Sequence, residues 1–404
     1  MTRYLNYSLS LILFLLLLKY VIGFVNKKID LIDNYKWVLI VSCPKFYPAD
    51  NYQVSLLNKK EKGYTFVNSE NIEEWGGLST DIDSQTGYKY VPDSLIVSWN
   101  CRIDMLSYEL KTKLPYEKMQ QFFENPIKKD DTSIISYNKI VVGMAPGGNV
   151  TVWMRAQNIL TVIAKFKAEN KGIWKENDVE FNSHRDEIKN NKEFANTEFN
   201  IFHYLHGIPY SVWEKGEKEY DYDVGFTSED ESSKISILTF YTKSGVIFQP
   251  DTFSGSPFTI DKSSWNLSNF NPNNNKVKKN PLPIMMQVEI ENLKNPKLYH
   301  ATSVVLPNDF EKLYKQQYLD SITGKKENFD RIIIGIKSGE NIGLVWLEGK
   351  NKRIKVMEFK CFIPKMNGTT YESGGYSLPK GFNFPKWEGR EKLIQPDIEF
   401  WQEK

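Results

Sequence analysis

Histidine and cysteine are scarce in this chain, and that scarcity removes whole classes of chemistry. Cys43, Cys101 and Cys361 include no Cys-x-x-Cys pair, so zinc ribbons and thioredoxin-type motifs are excluded. The four histidines, His184, His203, His206 and His300, contain no His-Glu-x-x-His. His203-x-x-His206 offers two ligands within the apolar segment Phe202–Leu205; two do not close a metal site, so packing or capping is the expectation there. An excess of one charge is also missing. Lys plus Arg is 52 against 50 for Asp plus Glu, leaving +2, so no global field would steer the protein onto nucleic acid. Gly-x-Ser-x-Gly, Walker A and Gly-x-Gly-x-x-Gly motifs are absent, which leaves a serine elbow or a nucleotide loop without support. No catalytic residue, metal ligand or cofactor is assigned.

What is present is a globular composition with a strong aromatic share. Apolar residues are 41%, charged residues 25% and aromatics 14% of 404 residues, enough for two cores and weighted toward strands. Leu9–Leu18 is almost purely Leu and Ile, flanked by Arg3 and Lys19 and followed by the apolar Val21–Val25. Such a run reads either as a signal-peptide core or as a short bilayer span of about 17 residues. Val21-x-Gly23 is a weak cleavage signal, so an uncleaved N-terminal anchor at 1–28 is expected, with the body exported. Cys43 and Cys101 each end an apolar run. A disulfide between them is one reading in an exported protein, and buried thiols are the favoured one.

The chain repeats itself. Ile140–Met154 (IVVGMAPGGNVTVWM) and Ile332–Glu348 (IIIGIKSGENIGLVWLE) each run from a β-branched stretch through a Gly and a polar turn to a second apolar stretch with a Trp. Gly143 and Gly335 lie 192 positions apart, as do Leu114-Pro115 and Leu306-Pro307. Fixed-period similarity of this kind marks an internal duplication. Around it, Tyr35–Ser42, Tyr52–Leu57, Leu95–Trp99, Leu106–Lys113 and Ile159–Lys167 read as strands. Leu114-Pro115-Tyr116-Glu117 opens a short helix whose Met119, Phe122 and Phe123 share one face. Phe310, Leu313 and Tyr314 repeat that stripe, one residue out of step.

The fold class expected is α+β and β-rich: two tandem, mostly antiparallel sheet units, each with one short helix, behind an N-terminal membrane anchor. The first unit is placed at 35–168 and the second, diverged one at 207–363. A charged linker with helix is expected at 169–206 and an aromatic, Pro-rich arm at 364–404. Asn266–Asn280 reads as a polar loop, and Asp81–Gly87 as a segment with a hairpin turn at Gln85-Thr86-Gly87 rather than a calcium loop, because its Gly falls one position late and no Glu closes it.

WVLIVSCPKFYP at Trp37–Pro48, PDSLIVSW at Pro92–Trp99, LPYEK at Leu114–Lys118 and GMAPGGNVTVWM at Gly143–Met154 resemble the bacterial domain-of-unknown-function family DUF2931. The resemblance is good over Trp37–Lys167 and fainter through Gly207–Phe226. It implies an envelope protein, often a lipoprotein in that family, and in some cases an immunity or accessory protein of an interbacterial toxin system. Two departures are Cys43 and Cys101, and the anchor in place of a lipid-accepting Cys. No functional residue carries over.

One local pattern stands out for a site. If Glu217–Asp223 is a regular strand, period two places Glu217, Glu219, Asp221 and Asp223 on one face and Tyr220 and Tyr222 on the other. A charged, solvated edge strand is the first reading. With Trp213, the four carboxylates are the candidate contacts for a protein partner. The function expected is a non-enzymatic, inner-membrane-anchored protein facing the periplasm that binds another protein, an immunity or accessory role in a toxin system being its finer form. An alternative is a glycan- or lipid-acting hydrolase using Glu219 or Asp221 with a facing carboxylate. A carbohydrate-binding module using Trp213, Tyr220 and Trp387 is the third.

Overall fold

A computed structural model describes residues 12–21, 34–59, 61–68, 75–76, 88–101, 104, 106–128, 134–157, 159–174, 208–229, 233–249, 276–292, 299–337, 342–362, 366–367, 370–371 and 376–377. The Asp81–Gly87 turn, the His203/His206 pair, Trp387 and most of the C-terminal arm lie outside the described residues, as does most of the polar loop.

In the first copy the chain runs β1 (Asn34–Lys36), β2 (Val38–Ser42), β3 (Ala49–Asn58), β4 (Glu61–Asn68), β5 (Tyr88–Tyr90), β6 (Ser94–Cys101) and β7 (Leu106–Lys113). Then come helix α1 (Tyr116–Glu124), β8 (Lys139–Ala145), β9 (Asn149–Ala156), β10 (Ile159–Lys167) and β11 (Glu169–Ile173). One sheet has the order β10-β9-β8-β2, the other β11-β7-β6-β3-β4, and β1 pairs with β5. The expected linker therefore begins later than Glu169, because 169–173 is an edge strand paired to β7.

The second copy follows α2 (Tyr210–Lys215). Its elements are β12 (Glu219–Ser228), β13 (Ser233–Tyr241), β14 (Ile247–Phe248), β15 (Lys276–Pro281), β16 (Met285–Asn292), β17 (Tyr299–Val305), helix α3 (Phe310–Tyr314), β18 (Arg331–Ile336), β19 (Ile342–Glu348), β20 (Arg353–Lys360) and β21 (Tyr376–Ser377). Its sheets read β20-β19-β18-β12-β15 and β21-β17-β16-β13-β14. The order matches that of the first copy, with β12 standing for β1 and β2 together and pairing with β15 as β1 pairs with β5; one edge differs, since β11 pairs antiparallel with β7 whereas β21 pairs parallel with β17. Pairing is antiparallel except for β2 with β8, β12 with β18, and β17 with β21. The helix after each Leu-Pro step sits at the same point in both copies. The protein is β-rich, with two tandem halves and few helices.

The repeat extends to single hydrogen bonds. Asp93 donates its N–H to the Leu57 carbonyl and accepts from Leu114 N–H, at 2.9 and 2.8 Å. Ile284 does the same between Tyr241 and Leu306, at 2.9 Å each. Trp37 Nε1 donates to the Tyr90 carbonyl (3.3 Å), and Tyr222 Oη to the equivalent Pro281 carbonyl (3.2 Å). Both copies carry a β-bulge just before the duplicated Trp, at Val152/Trp153 and Val345/Trp346.

Burial explains why these segments are strands. β6 alternates, with Leu95, Val97, Trp99 and Cys101 inward, as expected of a strand with one wet face. β8 and β9 are nearly continuous apolar runs, buried on both faces. The outer face of β8 is covered by Trp75, whose ring meets Trp153 edge-on at 4.9 Å. Gly143 makes room for both, since a Cβ there would lie 2.5 Å from the Trp153 ring and 2.7 Å from Trp75. In α1, Met119 and Phe123 enter the core as expected, and Asn125 closes the helix with its side chain on the Gln121 carbonyl. Side chains of both sheets form one core in each copy, and the first core also takes in Trp213, Tyr241, Met285 and Val305 of the following half.

Cys43 and Cys101 are buried free thiols, the favoured of the two sequence readings, and not a disulfide. The N-terminal stretch is helical over 12–21 with its apolar side chains exposed, among them Leu13 at 62%. Among the described residues no helix is long and apolar enough to cross a membrane.

Gly143→Val should destabilise the fold by about 1–3 kcal/mol through overpacking against Trp153 and Trp75. A melting temperature unchanged from the parent in calorimetry would contradict that packing.

Candidate functional site

Two buried carboxylates, Asp104 and Glu217, accept hydrogen bonds from backbone amides of tight turns. In the first copy Asp104 lies under the Pro146-Gly147-Gly148 turn joining β8 to β9. Gly147 and Gly148 have φ of 70° and 76°, the left-handed region that glycine enters without steric cost. The Gly147 N–H donates to Asp104 Oδ2 (2.9 Å), Tyr108 Oη to the same oxygen (2.6 Å), and Leu106 N–H to Oδ1 (3.2 Å). Burial pushes the Asp104 carboxyl up, and the donors, with the Cys101 thiol among them, pull against it. Burial and the neighbouring Asp104 raise the Tyr108 phenol far above its ordinary value. The turn that the repeated phrase was built around is thus pinned from below by a residue that the motif reading passed over.

The predicted acidic row does not form. β12 begins at Glu219, and a bulge between Tyr220 and Tyr222 breaks the period at Asp221. Glu219 and Asp221 are exposed, whereas Asp223 is buried in register with Arg331. Glu217 precedes the strand and turns inward. Its Oε1 accepts from Lys243 N–H and its Oε2 from Ser244 N–H, both at 3.1 Å. Burial raises its carboxyl, against hydrogen bonds from Ser244, Thr242 and Lys243.

Trp213 is 2% exposed, so it presents no surface to a partner or a sugar. Its Nε1 donates to the Ser244 carbonyl (3.0 Å), and its ring meets Tyr47 edge-on at 4.9 Å. Trp213 and Glu217, predicted as contacts for another molecule, together grip the 242–245 turn of their own chain. That turn in turn bonds to the first copy, where Lys45 N–H donates to the Gly245 carbonyl (3.2 Å). Gly245 has φ of 75°, and a Cβ there would stand 2.5 Å from Lys45 N.

Beside this clasp lies a cleft of about 310 Å³. Leu282, Ile284 and Phe310 supply its apolar lining, together with Pro283 and Pro307. Its polar groups are Glu217, Lys218, Tyr220, Lys243, Asn308 and Glu311. Tyr220 Oη donates to Glu311 Oε1 at 2.6 Å, and Lys315 reaches the same oxygen. For Glu311, burial would raise the carboxyl, but hydrogen bonds from Lys315 and Tyr220, and the charges of Lys315 and Lys218, hold it below its ordinary value. Tyr314 packs edge-on against Tyr220 at 5.5 Å, and burial pushes its phenol up to about 12. The cleft gathers Glu217 and Tyr220 from the sequence-predicted segment and leaves out Trp213, Glu219, Asp221 and Asp223. Lys243 and the Leu-Pro step at 306–307 were not singled out as site residues. Among the described residues no cluster of three or more His, Cys, Asp or Glu could hold a metal ion.

A family model described as a protein of unknown function (DUF2931) matches residues 25–211 and again residues 212–375. Neither a curated protein nor a solved structure matches the chain.

Glu217→Ala would leave two turn amides without their acceptor and should cost about 2–4 kcal/mol in denaturant melts. Asp104 and Glu217 both have carboxyls shifted upward, so the folded chain holds those protons more tightly than the unfolded one. The stability this contributes is complete at low pH and is lost as pH rises through the shifted values. The melting temperature should therefore carry a component that falls as pH rises from about 4 toward neutrality. Asp104→Asn should flatten it; an unchanged pH profile in that variant would refute the assignment.

Proposed function

The chain belongs to the DUF2931 family, matched twice along its length, and from that premise we propose that it is a non-enzymatic, membrane-tethered envelope protein that binds another protein. The observation that carries this reading is the use made of the carboxylates. Glu217 spends both oxygens on the 242–245 turn, Asp104 is spent on the 146–148 turn, and Glu348 is buried between Arg331 and Arg353. What faces solvent beside Glu217 is an apolar, proline-lined cleft with lysines at its edge, a surface suited to holding a segment of another chain. The tether rests on the apolar run Leu9–Leu18 of the sequence, since no helix among the described residues is long and apolar enough to cross a membrane. On this reading the body faces the periplasm from the inner membrane, and an immunity or accessory role beside a secreted toxin is its finer form.

A second reading has one specific observation in its favour. Glu217 and Glu311 line the same cleft with carboxyls shifted in opposite directions, the pattern of an acid and a base or nucleophile. Against it, the donors that fix Glu217 also occupy the oxygens an acid would need free.

Full-length protein purified with the co-expressed product of the adjacent gene should carry that partner through gel filtration; empty purifications in detergent would remove the binding reading. Incubated with chromogenic glycosides and cell-wall glycan, the protein should release no more product than a Glu217→Gln/Glu311→Gln variant. Release lost in that variant would establish the hydrolase instead. After an alkaline-carbonate wash the full chain should stay in the membrane pellet, and its appearance in the supernatant would sink the tether.

A further inference from the structure

The two copies differ where the cleft lies, and the difference is readable position by position. In the first copy Tyr116, directly after Leu114-Pro115, is half-buried against the core. Its equivalent after Leu306-Pro307 is Asn308, a far smaller side chain that lines the cleft. Asp93, on the strand connection before β6, accepts the N–H of Lys59 on Oδ2 (3.1 Å). The hydrogen-bond frame matches Asp93 to Ile284 and Lys59 to Lys243. Ile284 has no carboxylate to offer, and Glu217 supplies it from the other side, accepting the Lys243 N–H at 3.1 Å. The carboxylate has moved from the wall of the recess to its back, and an apolar wall stands in its place.

The charges left at the opening are cationic. Lys218 is exposed and Lys243 half-buried; Lys218 acts on Glu311 through its charge, and among the described residues neither ammonium comes within ion-pair distance of a carboxylate. Lys218 Nζ rests 5.0 Å from the centre of the Tyr220 ring. Glu311 is already engaged by Tyr220 and Lys315, and Glu217 faces inward.

From this we propose that the second-copy cleft is the docking site for an acidic segment of a protein partner, in which an apolar side chain enters between Ile284 and Phe310 and a neighbouring Asp or Glu meets Lys218 and Lys243. This rests on the protein-binding reading and specifies where and what it binds. About 310 Å³ suits one or two anchoring side chains, near the small end of ligand pockets at roughly 300–1,000 Å³. Lysines at the rim set the sign of the partner and the salt dependence of its capture.

The test is selection of a random peptide library displayed on phage against the full-length protein, with the enriched peptides measured by fluorescence anisotropy. The expected peptides carry Asp or Glu next to an apolar residue and bind more weakly as salt rises. Lys218→Glu/Lys243→Glu should weaken them about tenfold or more, reflecting lost complementarity. Asn308→Tyr, the first copy's own residue, should abolish binding with the melting temperature retained. Enriched peptides without acidic residues, or binding indifferent to both variants, would overturn the cleft assignment while the partner purification above still stands. A library that yields no binder at all would also overturn it, since an exposed segment would then not suffice.

Discussion

A carboxylate taken out of water must collect hydrogen bonds or give up its charge. Much of this structure is arranged around that requirement. Asp104 collects the Gly147 amide, the Leu106 amide and the Tyr108 hydroxyl, and in doing so fixes the turn from which β9 departs. Asp93 takes the Lys59 amide and Glu217 the Lys243 amide at equivalent turns. In each case an acid holds a tight connection whose amide has no strand to bond. The same turns bring the copies together, because the one held by Glu217 and Trp213 presents the Gly245 carbonyl to Lys45 in the first copy's β2–β3 connection.

How much of this was legible beforehand depends on the range of the interaction. The duplication could be read because it preserves residues whose role is local and steric. Gly143 admits the Trp153 ring and Leu114-Pro115 leads directly into a helix, and both features recur 192 positions on as visible spacing. Strand alternation in Ser94–Cys101 and the Met119/Phe123 stripe were readable for the same reason. The candidate site was not. Period two over Glu217–Asp223 assumed an unbroken strand, and neither the late start at Glu219 nor the bulge at Asp221 leaves a residue-level mark. Trp213 was read as a surface aromatic, although its indole is buried against Ser244 and Tyr47. The signal that was there is Thr242-Lys243-Ser244-Gly245, a turn sequence between apolar runs whose amides need an acceptor.

Divergence between the copies follows the same logic of replacement. Lys139 and Arg155 face each other across β8 and β9, and burial with the Arg155 charge lowers the Lys139 amine. At the equivalent pair Arg331 faces Glu348, and Arg353 joins from β20 while its guanidinium lies 4.8 Å from the Trp346 ring centre. A like-charge pair in one half has become a buried ion cluster in the other. The backbone frame holds while the chemistry hung on it changes.

Tyr116 and Asn308 show what fusing the copies makes available. In an assembly of two identical subunits related by a rotation axis, any substitution appears twice, so a recess opened on one side opens on the other, and the loss of packing is doubled. Covalent linkage removes that obligation. One half can carry a tyrosine packed against its core at this position while the other carries an asparagine beside an open cleft.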